Sequence, residues 1–173
     1  MNRRSFLSKT AVGAVLAPQS FHLLKAQVKG ANERMNVAFV GVGNKGAHAI
    51  QSLERLGIIN MVAFADVDDA TAAATYKKHP NVPRFRDFRK MLDRHNQEID
   101  AVVISTPDHT HHYIAKWCLQ MGKHVYLEKP LAHSIKECRD LAALEKETGL
   151  ICQMGNQGHS GSGIALLEAW YKA

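Results

Sequence analysis

Three glycines, Gly41, Gly43 and Gly46, directly follow an apolar run, Val37–Val40, that is typical of a buried strand. In a strand–turn–helix unit each glycine has its own task. The first allows a tight turn, the second leaves room for a pyrophosphate, and the third lets the helix pack closely on the strand. The first N–H groups of that helix and its positive dipole end face the phosphates. The predicted phosphate-binding residues are Gly41, Gly43, Asn44, Lys45 and Gly46.

An acidic side chain, Asp66, stands where the ribose of a dinucleotide can be bound. It ends a second apolar run, Ile58–Ala65, twenty residues after Gly46. A carboxylate at this distance can accept hydrogen bonds from the adenosine ribose hydroxyls. It would also repel a 2′-phosphate, and the next three residues, Val-Asp-Asp, include no arginine to receive one. The pattern predicts NAD rather than NADP; the alternative is an ordinary strand–turn–helix connection without a ligand.

A sheet must position these residues, because strands and helices alternate along the body of the chain. Apolar strands are predicted at residues 37–40, 61–65, 100–106, 124–128 and 150–154, with a short edge segment at 84–85. This alternation predicts the α/β class and a doubly wound parallel sheet whose own helices cover both faces. A ligand of such a sheet lies beyond the carboxyl ends of its strands. Besides the glycine loop and Asp66, these ends are Thr106–His111, Glu128–Pro130 and Gly155–His159.

The basic charge of the chain is concentrated at its start. Residues 1–34 hold six basic side chains and one acidic side chain, whereas residues 35–173 hold 16 basic and 15 acidic side chains. The body is therefore nearly neutral, and no basic face for nucleic acid is indicated. The start contains Arg3-Arg4-Ser5-Phe6-Leu7 and a short apolar stretch. This resembles a twin-arginine export signal, and it is far shorter than the ~20 residues of a stable membrane anchor. We expect a signal and linker at 1–34 and a periplasmic or otherwise exported protein.

The cysteines and histidines do not form a metal-binding pattern. Each of Cys118, Cys138 and Cys152 falls in a predicted apolar helix face or strand, which favours buried structural thiols. A disulfide between two of the three cysteines would leave the third unpaired, and this alternative stays open. Neighbouring histidines at 109, 111 and 112 face different ways on a starting helix, so they would not share one zinc ion. No metal site is predicted.

The strand ends together resemble those of one enzyme family. The glycine loop, Thr106-Pro107-x-x-x-His111 and Glu128-Lys129-Pro130 resemble the N-terminal NAD(P)-binding Rossmann domain of the glucose–fructose oxidoreductase / inositol dehydrogenase (Gfo/Idh/MocA) family over residues 35–157. The resemblance implies that Lys129 is catalytic, beside the nicotinamide and a substrate hydroxyl, and that the bond before Pro130 is cis. It also implies a cofactor wall and a substrate-side segment. The wall residues are Thr106, Pro107 and His111, with Glu128 and Pro130 beside Lys129, and the substrate residues are Asn156, Gln157 and His159. Glu128 is either a partner of Lys129 or simply a carboxylate at a strand end.

The family resemblance implies an NAD-dependent oxidoreductase acting on a small carbohydrate, a sugar or polyol. The alternatives are an NAD-dependent glycosidase of the same architecture and a nucleotide-binding module without catalysis. Family members carry a second domain, and here residues 158–173 end inside a helical pattern. We therefore expect the cofactor half of a longer enzyme, with the second domain absent from this chain, no activity by the chain alone, and a homo-oligomer at full length.

Overall fold

In the computed structural model, which describes residues 34–172, six parallel strands form one sheet in the order β3-β2-β1-β4-β5-β6. The strands are β1 (Met35–Val40), β2 (Ile59–Ala65), β3 (Arg84–Phe85), β4 (Ala101–Ile104), β5 (His124–Glu128) and β6 (Cys152–Gly155). The twin-arginine motif lies outside the described residues. The order reverses direction between β1 and β4, and this is the switch point at which doubly wound sheets bind ligands. The predicted fold class is confirmed.

Within residues 34–172, six α-helices connect or follow the strands, and three of them begin at a capping side chain. They are α1 (Asn44–Leu56), α2 (Asp69–Lys78), α3 (Phe88–His95), α4 (His111–Gln120), α5 (Ile135–Thr148) and α6 (Ser162–Lys172). The side chains of Asp68 and Asp87 cap α2 and α3, and Ser134 with Glu137 forms the predicted capping box of α5. Such caps satisfy N–H groups that have no partner within a helix. Short 3₁₀ turns at Asp108–Thr110 and Gln157–Ser160 follow β4 and β6.

The strand register brings the carboxyl ends to one edge of the sheet. Val40 pairs with Ala65 of β2 and with Ile104 of β4, and β5 and β6 continue the same alignment. The residues that come next in the chain therefore meet there. They are Gly41, Asp66, Ser105, Lys129 and Asn156. The predicted strand over 100–106 is shorter in the structure, at Ala101–Ile104. The N–H of Ser105 still donates to the oxygen of Val40 (2.8 Å), and the chain then turns.

The two faces of the sheet have separate cores. On one face, Met91 and Leu92 of α3 and Leu119 of α4 pack with Leu141 of α5 over the centre of the sheet. On the other, α1 and α2 cover β1 and β2 around Phe39 and Phe64. Right-handed crossovers explain why the helices divide between the two faces. The connections from β1 to β3 run toward one edge of the sheet and those from β4 to β6 run toward the other edge, so their helices lie on opposite faces.

Part of the α1–α2 face is not covered by the described helices, contrary to the expectation that both faces are covered. A groove of about 610 Å³ lies there beside α1, with Val37, Ala101 and Val103 on its floor. Its upper end is polar, with Lys45, Glu128 and Gln157. The apolar side chains of α6 are exposed as well, including Leu167 and Trp170. None of the helices in residues 34–172 is long and apolar enough to cross a membrane.

Candidate cofactor-binding site

The glycine loop connects β1 to α1 in a conformation that excludes other side chains. Gly41 has φ +79°, and a Cβ there would lie 2.5 Å from the carbonyl oxygen of Ser105. A Cβ on Gly46 would lie 1.9 Å from the oxygen of Gly41, so the first turn of α1 packs directly on the loop. At Gly43 the obstacle is Thr71 of α2, whose Cγ2 would be 2.4 Å away. The loop is thus a bare backbone cradle, as a closely approaching phosphate requires.

The start of α1 supplies donors to this cradle. Asn44 and Lys45 are its first residues, and the first N–H groups of a helix have no partner within it. Asn44 adopts φ 40°, a left-handed conformation that asparagine tolerates better than most residues. Lys45 carries an ammonium group and lines two cavities, the groove beside α1 and the cleft above the glycine loop that is described below.

Asp66 is bound to the loop through its carboxylate. Oδ2 accepts hydrogen bonds from the N–H groups of Val42 (2.8 Å) and Gly43 (3.3 Å), and Oδ1 accepts one from the N–H of Asp68 (3.0 Å). A carboxylate has about four acceptor sites, so Oδ1 can still accept a hydroxyl. The side chain that is predicted to bind ribose therefore also fixes the loop that is predicted to bind phosphate.

A cleft of about 860 Å³ opens above the loop and Asp66. Of the predicted residues it includes Gly41, Gly43, Asn44, Lys45, Asp66, Thr106 and Pro107. Ser105 also lines it, and its buried hydroxyl oxygen has no hydrogen-bond partner within residues 34–172. A cradle without side chains and a buried hydroxyl with no partner are features that fit a phosphate-bearing cofactor.

The sequence analysis missed the wall that β3 contributes to this cleft. Arg86 lines it and donates through Nη2 to the oxygen of Val67 (2.8 Å), with its Nη1 3.8 Å from the carboxylate of Asp69. An arginine therefore does stand beside the ribose end of the cleft, although none follows Asp66 in the chain. The carboxyl end of β3 was available as a signal, because an edge strand beside β2 must end at the same place.

Two more residues of this wall, Asp87 and Arg89, form an ion pair. Arg89 Nη2 lies 2.6 Å from Asp87 Oδ2, and hydrogen bonding to the guanidinium lowers the pKa of Asp87 to about 2. The carboxylate is therefore ionised and already partnered at neutral pH. It also caps α3, so the pair fixes the wall rather than offering a free charge to a ligand.

His111 is not part of the cleft lining, although it was predicted as a wall residue. Its side chain is fully buried, with Nδ1 2.7 Å from the oxygen of Pro130 and Nε2 2.9 Å from the oxygen of Thr106. It joins the segments that follow β4 and β5. The hydroxyl of Thr106 is itself held by that of Thr110 at 2.7 Å.

The segment after β5 presents Lys129 to solvent, and the bond between Lys129 and Pro130 is cis. Glu128 is buried, and its Oε1 accepts a hydrogen bond from Nε2 of Gln157 at 2.8 Å. Gln157 also donates to the hydroxyl of Tyr126 at 3.1 Å. The structure thus brings together a residue predicted for the cofactor and one predicted for the substrate, and it gives Glu128 a partner other than Lys129.

The two remaining substrate-side residues lie in the turn after β6. Asn156 precedes the 3₁₀ turn, and its carbonyl accepts the N–H of His159 at 3.0 Å. Both side chains are exposed. The structure shows no contact of either with the cleft, and their role stays a prediction.

The cysteines and histidines of the described part form no metal-binding cluster. No three His, Cys, Asp or Glu side chains within residues 34–172 are placed to hold an ion. Cys118 is fully buried, whereas Cys138 and Cys152 are partly buried, and all three thiols are free. Burial raises the pKa of Cys118 to about 12 and that of Cys152 to about 11.

Comparison with known proteins agrees with this geometry. A model of the Gfo/Idh/MocA oxidoreductase family, with an NAD-binding Rossmann fold, matches residues 35–156. A 4-carboxy-2-hydroxymuconate-6-semialdehyde dehydrogenase of a Sphingobium species is 30% identical over 122 residues, which are 70% of this chain and 38% of that protein. An alpha-N-acetylgalactosaminidase of Shewanella oneidensis is 30% identical over 131 residues, 70% of this chain and 28% of that protein.

Solved structures agree as well. The D-galactose-1-dehydrogenase of Rhizobium etli is similar with a TM-score of 0.60 and 29% identity, covering 70% of this chain and 37% of that one. The chain therefore spans well under half the length of these proteins.

Proposed function

The chain belongs to the Gfo/Idh/MocA oxidoreductase family with its NAD-binding Rossmann fold, and from this premise we propose that it is the cofactor-binding part of an exported, NAD-dependent oxidoreductase. Its substrate class is a sugar, polyol or related carbohydrate. The bound nicotinamide would supply the acceptor for a hydride from a carbinol carbon.

The glycine cradle tied to Asp66 is the observation that carries the proposal. It provides backbone N–H groups for a pyrophosphate and a carboxylate for a ribose within one cleft. The carboxylate disfavours a 2′-phosphate, which supports NAD over NADP. Arg86 is the side chain at that end that could receive such a phosphate.

Lys129 is the proposed catalytic residue. Its ammonium is exposed at the carboxyl end of β5, where a ligand of a doubly wound sheet lies. There it would orient a substrate hydroxyl and hold or pass on its proton. Asn156, Gln157 and His159 are proposed to contact the substrate from the turn after β6.

Turnover is tested in the full-length enzyme, with NAD and a panel of sugars and polyols, following the absorbance of the reduced cofactor. Lys129→Ala should lower turnover by ~10²–10⁴-fold with NAD affinity nearly unchanged, because a proton-transfer group acts on the chemical step. Lys136→Ala, which changes another exposed lysine, is the matched control. Near-normal turnover by Lys129→Ala would reduce Lys129 to a structural residue.

A second candidate, an NAD-dependent glycosidase, is favoured by the similarity to the Shewanella alpha-N-acetylgalactosaminidase. Its substrate would be a glycoside rather than a free carbohydrate. Product analysis separates the two activities. Net reduction of added NAD supports the oxidoreductase, whereas a released aglycone without net redox change supports the glycosidase.

Export is proposed from Arg3-Arg4. Replacement of both arginines by lysine should leave the precursor in the cytoplasm, which fractionation and immunoblotting would detect. Unchanged delivery of the doubly substituted chain would exclude the twin-arginine route. We also propose that the full-length enzyme is a homo-oligomer, which light scattering would test.

A further inference from the structure

His111 occupies an unusual position between two loops of the candidate site. It is fully buried at the start of α4, and each ring nitrogen lies within hydrogen-bonding distance of a main-chain carbonyl oxygen. One carbonyl belongs to Thr106, at the carboxyl end of β4. The other belongs to Pro130, at the carboxyl end of β5.

Both partners of the ring are hydrogen-bond acceptors. A carbonyl oxygen accepts hydrogen bonds and cannot donate one, so a ring nitrogen that bonds it has to be the donor. A neutral imidazole has one N–H, and its second nitrogen would place a lone pair against a carbonyl oxygen. The doubly protonated ring donates to both, and hydrogen bonds from a charged donor are stronger than neutral ones.

The neighbouring histidine, His112, has a carboxylate rather than a carbonyl as its partner. His112 lies partly exposed on the same helix, and its Nε2 is 2.7 Å from the carboxylate of Asp140. Asp140 also accepts a bond from Lys116 at 2.8 Å. His112 thus holds two helices together at the surface, whereas His111 holds two strand ends together in the interior.

We propose that His111 is protonated on both ring nitrogens and acts as a positively charged clasp between the segments after β4 and β5. The clasp positions the main chain that carries Lys129 relative to the Thr106–Pro107 wall. His111 is a positioning residue, since it lies outside the cleft and acts through Pro130 and Thr106. The functional part of this inference rests on the proposed function, because it assigns the nicotinamide half of the cofactor to these two segments.

The protonation state is measured directly by nitrogen NMR of the chain labelled with ¹⁵N-histidine, at neutral pH. The ring of His111, assigned by its loss in His111→Phe, should show a directly bonded proton on both nitrogens. A ring with one bare nitrogen would overturn the charged clasp. This measurement on the unmutated protein stands even if His111→Phe proves unstable, because single substitutions of the other histidines assign the remaining signals by elimination.

The positioning role is measured by comparing two ligands. ADP-ribose contacts the glycine loop and Asp66 but lacks the nicotinamide that NADH carries. In His111→Phe the affinity for NADH should fall about tenfold, which corresponds to about 1.4 kcal/mol, because the segments that would hold the nicotinamide lose the residue that joins them, while the affinity for ADP-ribose should hold. The matched control His112→Phe should leave both affinities unchanged.

The outcomes separate the two ideas. Equal losses for NADH and ADP-ribose in His111→Phe, or no loss for either, would refute the positioning role. If the unmutated protein binds NADH no better than ADP-ribose, the proposed function fails at the nicotinamide half, and the nitrogen spectrum still decides whether the clasp is charged.

Discussion

Substitution of Asp66 by alanine should affect both folding and cofactor binding, because one carboxylate serves both. The variant deprives three N–H groups of their acceptor. Two of these bonds, from Val42 and Asp68, have ordinary lengths of 2.8 and 3.0 Å, and the third, from Gly43, is longer at 3.3 Å. Hydrogen bonds to charged acceptors contribute about 1.5–3 kcal/mol each. Asp66 is partly exposed, so water replaces part of what is lost.

The expected decrease in the free energy of unfolding is then about 2 kcal/mol, below the sum of two fully buried charged bonds. For NAD, the missing ribose contact adds a loss of about 1–3 kcal/mol in binding, roughly a 5- to 150-fold weaker affinity. Urea denaturation measures the first quantity and titration calorimetry measures the second. The two losses should appear together in Asp66→Ala.

Asp69→Ala is the matched control, since its side chain is 62% exposed and its carboxylate lies 3.8 Å from Arg86. It should change stability by less than about 0.5 kcal/mol. If Asp66→Ala resembles this control in both assays, the carboxylate neither fixes the loop nor binds ribose. Tighter binding of NADP than of NAD by the unmutated protein would refute the ribose assignment alone, and Arg86→Ala would then identify the phosphate partner.

Three further outcomes are expected. Gly43→Ala should lower stability by about 1–3 kcal/mol, because its new Cβ would meet Thr71 Cγ2 at 2.4 Å. Adding Thr71→Ser should recover part of this loss, as measured by urea denaturation. If stability does not recover, the contact with Thr71 Cγ2 is not the cause of the loss. Burial raises the pKa of Cys118 to about 12, so this thiol should react with iodoacetamide at pH 8 only after unfolding. Mass spectrometry measures the labelling, and fast labelling of Cys118 in the folded chain would contradict its burial. Hydrogen bonding to Arg89 lowers the pKa of Asp87 from 3.8 to about 2, so its stabilisation is complete above about pH 4 and is lost as the pH falls through 2. Asp87→Asn should flatten that part of the pH–stability curve, and an unchanged acid slope would show that the pair adds nothing.

Much of the fold, and the glycine loop of the candidate site, could be predicted from local patterns. Strand, turn and helix signals are short-range, which is why β5 and the capping box at Ser134 agree with the sequence analysis. The glycine loop is likewise encoded within six residues. The uncovered groove could not be predicted, because it depends on the direction in which successive connections cross the sheet rather than on any local pattern.

Contacts between distant segments could not be predicted. The sequence gives no sign that Thr71 of α2 packs on Gly43, or that Gln157 pairs with Glu128. His111 was predicted as a cofactor wall from its motif. Its burial follows from the position of Pro130, nineteen residues along the chain. Spacing identifies such residues, but the packing of two loops decides which way their side chains face.

The tight packing around the glycine loop bears on how relatives of this protein should be judged. Gly41 and Gly46 are required by contacts within the chain itself, at 2.5 and 1.9 Å from backbone oxygens, and Asp66 is required by the N–H groups that it accepts. A descendant that had lost its nucleotide would therefore still be under selection to keep all three. Lys129 is different, because its exposed ammonium has no hydrogen-bond or ion-pair partner within residues 34–172. On the catalytic role proposed for Lys129, degenerate copies of the gene should lose the lysine first and the glycines last, and the lysine would then be the better marker of a chain that retains activity.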